Sequence, residues 1–374
     1  MSRKILIVNQ NSGYLTIDVA NAFRQKYDEV VVMYGMIRVT DRNFHTDIKI
    51  QNTIIYDRST TIKRLWTWSL CTIHLFFLLL FRYRGYHVLY YTNPPMSYFN
   101  AIFFSNPFSI VVFDTYPDAL KLIGINESSF VYQLWKNVNK KVFSKAVQII
   151  TLSEGMKKQL SNYVANEKLK VVSVWSASDK FKPIPKKSNP FLLKNNWVDK
   201  FIVLYSGNMG IGHKIEVLID VAKQLEENNE IIFLFVGEGA KKKTLIDLAN
   251  KNKLKNVHFL TWQNAETLPY SLAAGDIAVV ALEPEATHAS VPSKTFNYMA
   301  VGTPLLAIGS TGSELEKLII QYGLGLCTEG KEVSEIKGFT LEMLINKDKI
   351  EKLSQNSLQA STHFNYQMAF HYVF

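Results

Sequence analysis

The sequence predicts an α/β protein built as two units, each a parallel sheet covered by helices. Three observations carry that reading. Short runs of β-branched and aromatic residues alternate with segments of helical periodicity, the pattern of parallel strands buried on both faces. The alternation stops at a proline-rich stretch and then restarts. The chain of 374 residues is also longer than one ordinary core accommodates.

In the first half, Lys4–Val8 reads as the opening strand and Asn9–Gly13 as a tight polar loop. Ile17–Lys26 reads as a helix and Val30–Tyr34 as the returning strand. His87–Tyr91, Ile110–Phe113 and Gln148–Leu152 continue the series. The stretch 181–190 then holds Pro183, Pro185 and Pro190 beside Lys186, Lys187 and Ser188. Proline has no ladder donor and a locked φ, so this stretch predicts a linker. Beyond it, Phe201–Tyr205 is a strand, Ser206–His213 a glycine-rich loop and Lys214–Glu227 a helix. That helix places Ile215, Leu218, Ile219, Ala222 and Leu225 on one face. Strands follow at Ile231–Val236, Val257–Leu260, Ile277–Ala281 and Leu305–Ile308. The expected division is a first domain at 1–182, a linker at 183–198 and a second domain at 199–354. A C-terminal helix at about 355–374 is expected to pack back on the first domain.

A composition of 47% hydrophobic and 20% charged residues excludes extended disorder. Cys71 and Cys327 stand too far apart for a disulfide framework or a metal-ligand spacing, and they suit a reducing compartment. With an opening strand in place of a leader-like segment, the expected location is cytoplasmic. The net charge of +10 is unevenly spread: residues 1–185 carry 23 Lys and Arg against 12 Asp and Glu, the rest 19 against 20. A basic first half suits an anionic membrane surface, a phosphate-bearing acceptor or nucleic acid. Nucleic acid ranks last, because no recognition helix or aromatic RNA platform is visible. Between Arg64 and Arg82 lie 17 residues without a charged side chain. Thr67, Ser69, Thr72 and His74 argue against a membrane span. A buried core helix is the first expectation. An interfacial helix, flanked by Trp66, Trp68, Lys63, Arg64, Arg82 and Arg84, is the second.

Two constellations carry chemistry. In the run 290–304, Ser290 is placed as an N-cap, Pro292 in a first helical turn, and Gly302 with Pro304 as the exit. The free amides of that first turn, with Lys294 and Ser293, make an anion site, and Asn297 lies one turn further on the same face as Ser293. A capped surface helix with a solvated lysine accounts for the same residues. The second constellation is the strand-to-helix loop Gly207–Gly212, which reads G-x-x-G-x-G, with His213 and Lys214 after it. It is neither the dinucleotide fingerprint nor a P-loop, but three glycines let a backbone approach a phosphate closely.

The Gly207–Gly212 loop, the run Phe233–Gly239, the stretch Val257–Leu260 through Asp276 and the helical segment Val291–Lys294 stand in family order and spacing. Together they resemble the nucleotide-sugar domain of family 4 retaining glycosyltransferases, within the branch that builds bacterial surface polysaccharides. Asp114–Leu120 is similar to that branch's Asp-Leu-Trp-Pro-Glu-Ser-Leu segment, and Thr151–Met156 to its strand-to-helix join. The resemblance covers nearly the whole chain. It implies the GT-B fold, with two Rossmann-like domains facing across a cleft. It also implies that Gly207, Gly210, Lys214, Ser293 and Lys294 hold the donor diphosphate. Trp262, Gln263 and Leu268 would line the base pocket, and Asn297 would meet the ribose. Glu283, Glu285 and His288 would face the donor sugar, while Asn11, Gly13, Asp114 and Asp118 look toward the acceptor. Lys214, Lys294 and Asp114 are the implied catalytic set.

The chain departs from the family pattern at Ala289 and Asn297, where two glutamates are usual, and at Phe113, where a histidine is usual. Asparagine still hydrogen-bonds a hydroxyl, without the charge-assisted strength of a carboxylate. No Asp-x-Asp occurs, so no metal site is expected and no cofactor beyond the donor substrate. The leaving nucleoside diphosphate would then be stabilised by protein charge. The resemblance implies retention at the anomeric carbon, a nucleotide-sugar donor, a lipid-linked saccharide acceptor and an anionic membrane surface as partners, and a place at the inner membrane face. The alternatives are another enzyme of the same fold, an inverting transferase or a nucleotide-sugar epimerase, and a partner subunit that binds the nucleotide sugar without catalysis.

Overall fold

The described residues of the first unit form the strands β1 (Lys4–Val8), β2 (Asn11–Ser12), β3 (Glu29–Tyr34), β4 (Met36–Ile37), β5 (Lys49–Asn52), β6 (His87–Tyr91), β7 (Phe108–Val112), β8 (Ile149–Thr151) and β9 (Leu169–Val171). The computed structural model describes residues 2–38, 41–282 and 291–374. Seven of the strands form one sheet in the order β5-β3-β1-β6-β7-β8-β9, all pairs parallel, and β2 pairs separately with β4. The order grows outward from β1 in both directions, so it reverses between β1 and β6. In open parallel sheets that reversal opens a crevice at the carboxyl ends. The loop 9–13, with Asn11 and Gly13, leaves β1 at this point.

Local capping explains where the helices begin. Hydroxyls of Thr60, Ser129 and Ser153 accept the amide three residues on, opening helices at Thr61, Phe130 and Glu154. The core under one sheet face gathers Leu6, Val8, Val31, Met33, Val88, Tyr90 and Ile110 against Cys71, Leu75 and Leu79.

Those last three belong to the helix Thr61–Phe81, and they correct the expectation of a buried core helix. Only Trp68, Cys71, Leu75 and Leu79 are buried along its 21 residues. One stripe at three- and four-residue spacing is enough to cover the sheet, and the opposite face stays in solvent.

The second unit has β10 (Phe201–Ser206), β11 (Ile231–Val236), β12 (Val257–Leu260), β13 (Ile277–Ala281), β14 (Leu305–Ile308) and β15 (Gly325–Thr328). They form a parallel sheet in the order β12-β11-β10-β13-β14-β15, with its reversal between β10 and β13. β10, β11 and β13 are buried throughout, as continuous apolar runs demand.

The division between units falls at Ser173, not at 182, and Tyr366–Phe374 returns to the first unit. The expected linker 183–198 is part of the second unit's fold. Asn189 caps a helix Pro190–Asn195 whose first residue is a proline, tolerated there because that amide has no helical duty. Phe191 and Leu192 are buried, and Lys186 Nζ lies 2.5 Å from Asp276 Oδ2. The expected C-terminal helix also divides differently. The helix Lys347–Ser361 packs on Ser293–Ala300 within the second unit, and only the 3₁₀ turn Tyr366–Tyr372 packs on Tyr14–Phe23.

The two faces of the helix Thr61–Phe81 make opposite predictions. Leu75→Ala removes a fully buried side chain and is expected to lower unfolding free energy by about 2–5 kcal/mol. Phe77→Ala, at a half-exposed position, is expected to stay within about 0.5 kcal/mol. Urea unfolding of both variants measures the contrast.

Candidate active site

The carboxyl edge of the second sheet holds most of the residues predicted to bind the donor. At Ser206 the chain leaves β10 and passes the loop that leaves β11 at main-chain contact. Gly207 N–H donates to Val236 O at 2.9 Å, and Met209 N–H to Glu238 O at 2.8 Å. A Cβ on Gly237 would stand 2.1 Å from Gly207 O, and one on Gly239 2.4 Å from Met209 O. Both glycines have positive φ, 137° and 152°, which other residues rarely adopt. The two loops are therefore stitched into one surface with no side chain between them.

Lys294 comes to this surface from the second residue of the helix Ser293–Ala300. Its ammonium is buried, and among the described residues it has no hydrogen-bond partner. Nζ sits 3.8 Å from the centroid of the Tyr205 ring, a cation–π contact, and its Cδ is 3.5 Å from where a Gly207 Cβ would be. Desolvation lowers its pKa from 10.5 to about 7. His213 beside it is pushed down to about 4, first by burial and then by the Lys294 charge, so the imidazole is neutral. Its Nδ1 lies 2.6 Å from the Tyr205 hydroxyl. Tyr298, one helical turn after Lys294, locks the helix to the sheet: its hydroxyl accepts from Ser206 N–H at 2.7 Å and donates to Ser206 O at 3.1 Å.

The remaining predicted donor residues are spread around this centre. Ser293 is exposed at the first helical position, and Gly210 lies in the loop leaving β10. Lys214 Nζ donates to Glu329 O at 2.7 Å, just past β15, so one of its three protons is committed to the main chain. Asn297 Oδ1 accepts from Ala177 N–H at 2.9 Å. Trp262 is 54% exposed after β12, Gln263 donates to Thr261 O at 2.9 Å, and Leu268 opens the helix Leu268–Leu272 half-buried. Glu283, Glu285 and His288, like Ala289 and the predicted cap Ser290, lie outside the described residues. The helix itself begins at Ser293 with Pro292 as its uncapped N-cap residue.

Of the residues expected to look toward an acceptor, Asn11 lies in β2 and Gly13 precedes the helix Tyr14–Phe23, both at the reversal point of the first sheet. Asp114 follows β7, and burial of its surroundings raises its carboxyl above the usual aspartate range. Asp118 is held internally. Its two oxygens accept the Tyr132 hydroxyl at 2.7 Å and the Tyr163 hydroxyl at 2.6 Å, and Lys121 Nζ is 3.4 Å away. It braces a cavity of about 340 Å³ lined by Lys136, Lys140 and Asn162. Sequence reasoning missed Tyr205 and Tyr298 as members of the cluster around Lys294. The i, i+4 spacing of Lys294 and Tyr298 was the only signal for the second.

Two predictions follow from this geometry. The folded pKa of Lys294 lies below its unfolded value, so between about pH 7 and 10.5 the unfolded chain binds the extra proton. Stability is therefore expected to rise with pH across that window, and below it the burial cost is present in full. Lys294→Met should flatten this rise and gain roughly 1–4 kcal/mol at pH 7, read from urea unfolding at several pH values. Two parallel curves would show that the ammonium is not dry. Gly237→Ala is expected to cost about 1–3 kcal/mol from its φ alone, with the clash against Gly207 O in addition. Its melting temperature, set beside that of Gly312→Ala, where a Cβ meets nothing, isolates the clash.

Comparison with known proteins places this edge in a wider group. Residues 192–360 match the family model "Glycosyl transferases group 1". The chain is similar to the probable glycosyltransferase WbjE of Pseudomonas aeruginosa, 29% identical over 253 residues, which are 65% of this chain and 62% of that relative. The match thus spans less than two thirds of the relative's length. Among solved structures, Anabaena HepE in complex with UDP and glucose superposes with a TM-score of 0.72 at 15% identity, covering 99% of this chain and 98% of that one. WaaG, a glycosyltransferase involved in lipopolysaccharide biosynthesis, gives 0.70 at 14% identity, with 98% of each chain covered. The chain has the GT-B fold, two Rossmann-like domains, and its second unit carries the region that matches the group 1 glycosyl transferases.

Proposed function

We propose that the chain is a retaining glycosyltransferase that moves a sugar from a nucleoside-diphosphate sugar to a lipid-linked or polysaccharide acceptor in surface-polysaccharide biosynthesis. The observation that carries this reading is the buried ammonium of Lys294, without a hydrogen-bond partner among the described residues, against the glycine surface at Gly207. An isolated buried cation costs several kcal/mol unless an anion pairs with it, about 3–5 where one partner of a buried pair is missing. A diphosphate supplies that anion, and the side-chain-free loops give its oxygens main-chain approach.

The chemistry then follows from charge. As the glycosidic bond to the diphosphate breaks, negative charge grows on the leaving oxygens. Lys294 and the first-turn amides of its helix stabilise that charge in a dry setting, where each such group is worth most. Lys214 adds a second cation from the loop leaving β10. Two lysines and a helix terminus do the work that a metal bridge does where an Asp-x-Asp is present, and this reading takes the enzyme as metal-independent. Uridine is the proposed base, in keeping with the UDP of the HepE complex. Trp262, with half of its surface open, is the proposed base platform, and the amide of Asn297 the ribose contact. Retention would have the acceptor hydroxyl attack on the leaving-group face. A lipid-linked acceptor places the enzyme at the cytoplasmic side of a membrane, in accord with the basic first half of the chain.

One observation favours a second reading, a partner subunit that binds the donor without using it. Asn297, which stands where a carboxylate is usual, already spends its oxygen on the Ala177 amide. A thermal-shift panel of UDP, GDP, ADP and CMP, followed by a transfer assay, separates the two. The expected outcome is that UDP at 100 times its Kd adds ~2.7 kcal/mol to the wild type and nothing to Lys294→Ala. Transfer should fall about 10²–10³-fold in that variant. Binding without transfer to any lipid-linked saccharide would select the partner subunit. No stabilisation by any of the four nucleotides would remove both readings.

A further inference from the structure

The helix Thr61–Phe81 buries one stripe and offers another to solvent. Trp68, Cys71, Leu75 and Leu79 face the sheet. On the opposite side, Ile62, Trp66, Ile73, Phe77 and Phe81 are 80%, 64%, 53%, 51% and 76% exposed. Their spacing of four and seven residues keeps them on one face. Phe103, 69% exposed, extends the patch through an edge contact with Phe76 at 5.9 Å. Scattered apolar residues at a surface need no explanation, but a contiguous stripe of this length marks an interaction site.

Three features identify the occupant as lipid. The polar side chains of the helix are turned back onto its own backbone: Thr67 Oγ1 donates to Lys63 O at 3.0 Å, Ser69 Oγ to Leu65 O at 2.9 Å and Thr72 Oγ1 to Trp68 O at 2.9 Å. These three hydroxyls therefore carry no unsatisfied donor into an apolar phase. Exposed cations stand at both ends, Lys63 at the start and Arg82 and Arg84 at the finish. Finally, the whole net charge of the chain lies in this unit. It holds 21 Lys and Arg against 11 Asp and Glu, while the second unit holds 21 of each. Arg64 is not part of the set, because it is only partly exposed and its Nε is buried.

The helix is long and apolar enough to cross a bilayer by composition, with a mean hydropathy of 1.5 over its best window. Crossing would pull Cys71, Leu75 and Leu79 out of the sheet core, where none has any exposed surface. Lying in the interface keeps that core and covers the stripe.

We propose that the helix Thr61–Phe81 lies in the plane of an anionic bilayer surface. Ile62, Trp66, Ile73, Phe77 and Phe81 enter the headgroup–acyl boundary, and Lys63, Arg82 and Arg84 meet lipid phosphates. This surface stands on its own observations and does not depend on the glycosyl-transfer reading.

The test is cosedimentation of the full chain with vesicles of phosphatidylglycerol and phosphatidylethanolamine, and with vesicles of phosphatidylcholine alone. The wild type is expected to pellet with the first and to bind the second at least about tenfold more weakly. The triple variant Ile73→Ser/Phe77→Ser/Phe81→Ser should lose about tenfold or more of its affinity for the anionic vesicles with its melting temperature unchanged. Arg82→Ala/Arg84→Ala should weaken binding and reduce its dependence on salt. A wild type that stays in the supernatant with anionic vesicles overturns the proposal, and so does a triple variant that binds as the wild type does. A wild-type dimer that the triple variant converts to a monomer, without vesicle binding, would give this face to a second copy of the chain. Because no nucleotide is used, the outcome is independent of the donor-binding panel.

Discussion

Every pair in the two main sheets is parallel, and the rest of the structure depends on that constraint. Parallel strands need a crossover for each connection, so helices cover both faces and all carboxyl ends fall on one edge. In the second unit this forces the loops leaving β10 and β11 past each other at main-chain contact. Glycine is the residue that allows it, because a Cβ on Gly237 would occupy the position of Gly207 O. A surface of backbone amides without side chains is thus a consequence of sheet geometry, formed before any ligand arrives. The helix carrying Lys294 is then fixed against it by the paired hydrogen bonds between Tyr298 and Ser206.

The fold was legible wherever burial on both faces leaves an unbroken apolar run. β1, β6, β11, β13 and β14 have the bounds that the sequence suggests, as does the partly buried edge strand β12. The edge strands β5 and β9 escaped notice because Lys-Ile-Gln-Asn and Leu-Lys-Val mix polar and apolar residues, as one-sided or peripheral strands do. The proline-rich stretch was misread for a related reason. A proline that breaks a helix in its interior starts one at its first position, and the choice at Pro190 rests with Asn189 before it. Composition could not say which face of the helix Thr61–Phe81 is covered, since both faces are apolar. At the site, the glycine loop and the Ser293-Lys294 pair were visible as spacing. The burial of the ammonium and the ring beneath it were not. They arise from residues about ninety positions apart that only the sheet brings together.

The chemical character of Lys294 bears on how the fold tolerates a buried cation. An arginine in the same place would stay charged at any accessible pH and would need a permanent partner. A lysine whose pKa has fallen to about 7 can shed its proton near neutrality, which relieves the burial cost. A bound diphosphate would reverse that shift by restoring a counter-charge, and the site would regain its cation in the presence of the anion it serves. The lysines and arginines of the first unit work under the opposite condition. They are mostly solvated, keep their charge, cost the fold little, and act over a Debye length rather than a bond length. Positive charge therefore stands in two settings in one chain. Dispersed over the first unit, it would draw the protein toward the anionic surface proposed above. Concentrated in one dry position of the second, it would pair with the proposed diphosphate.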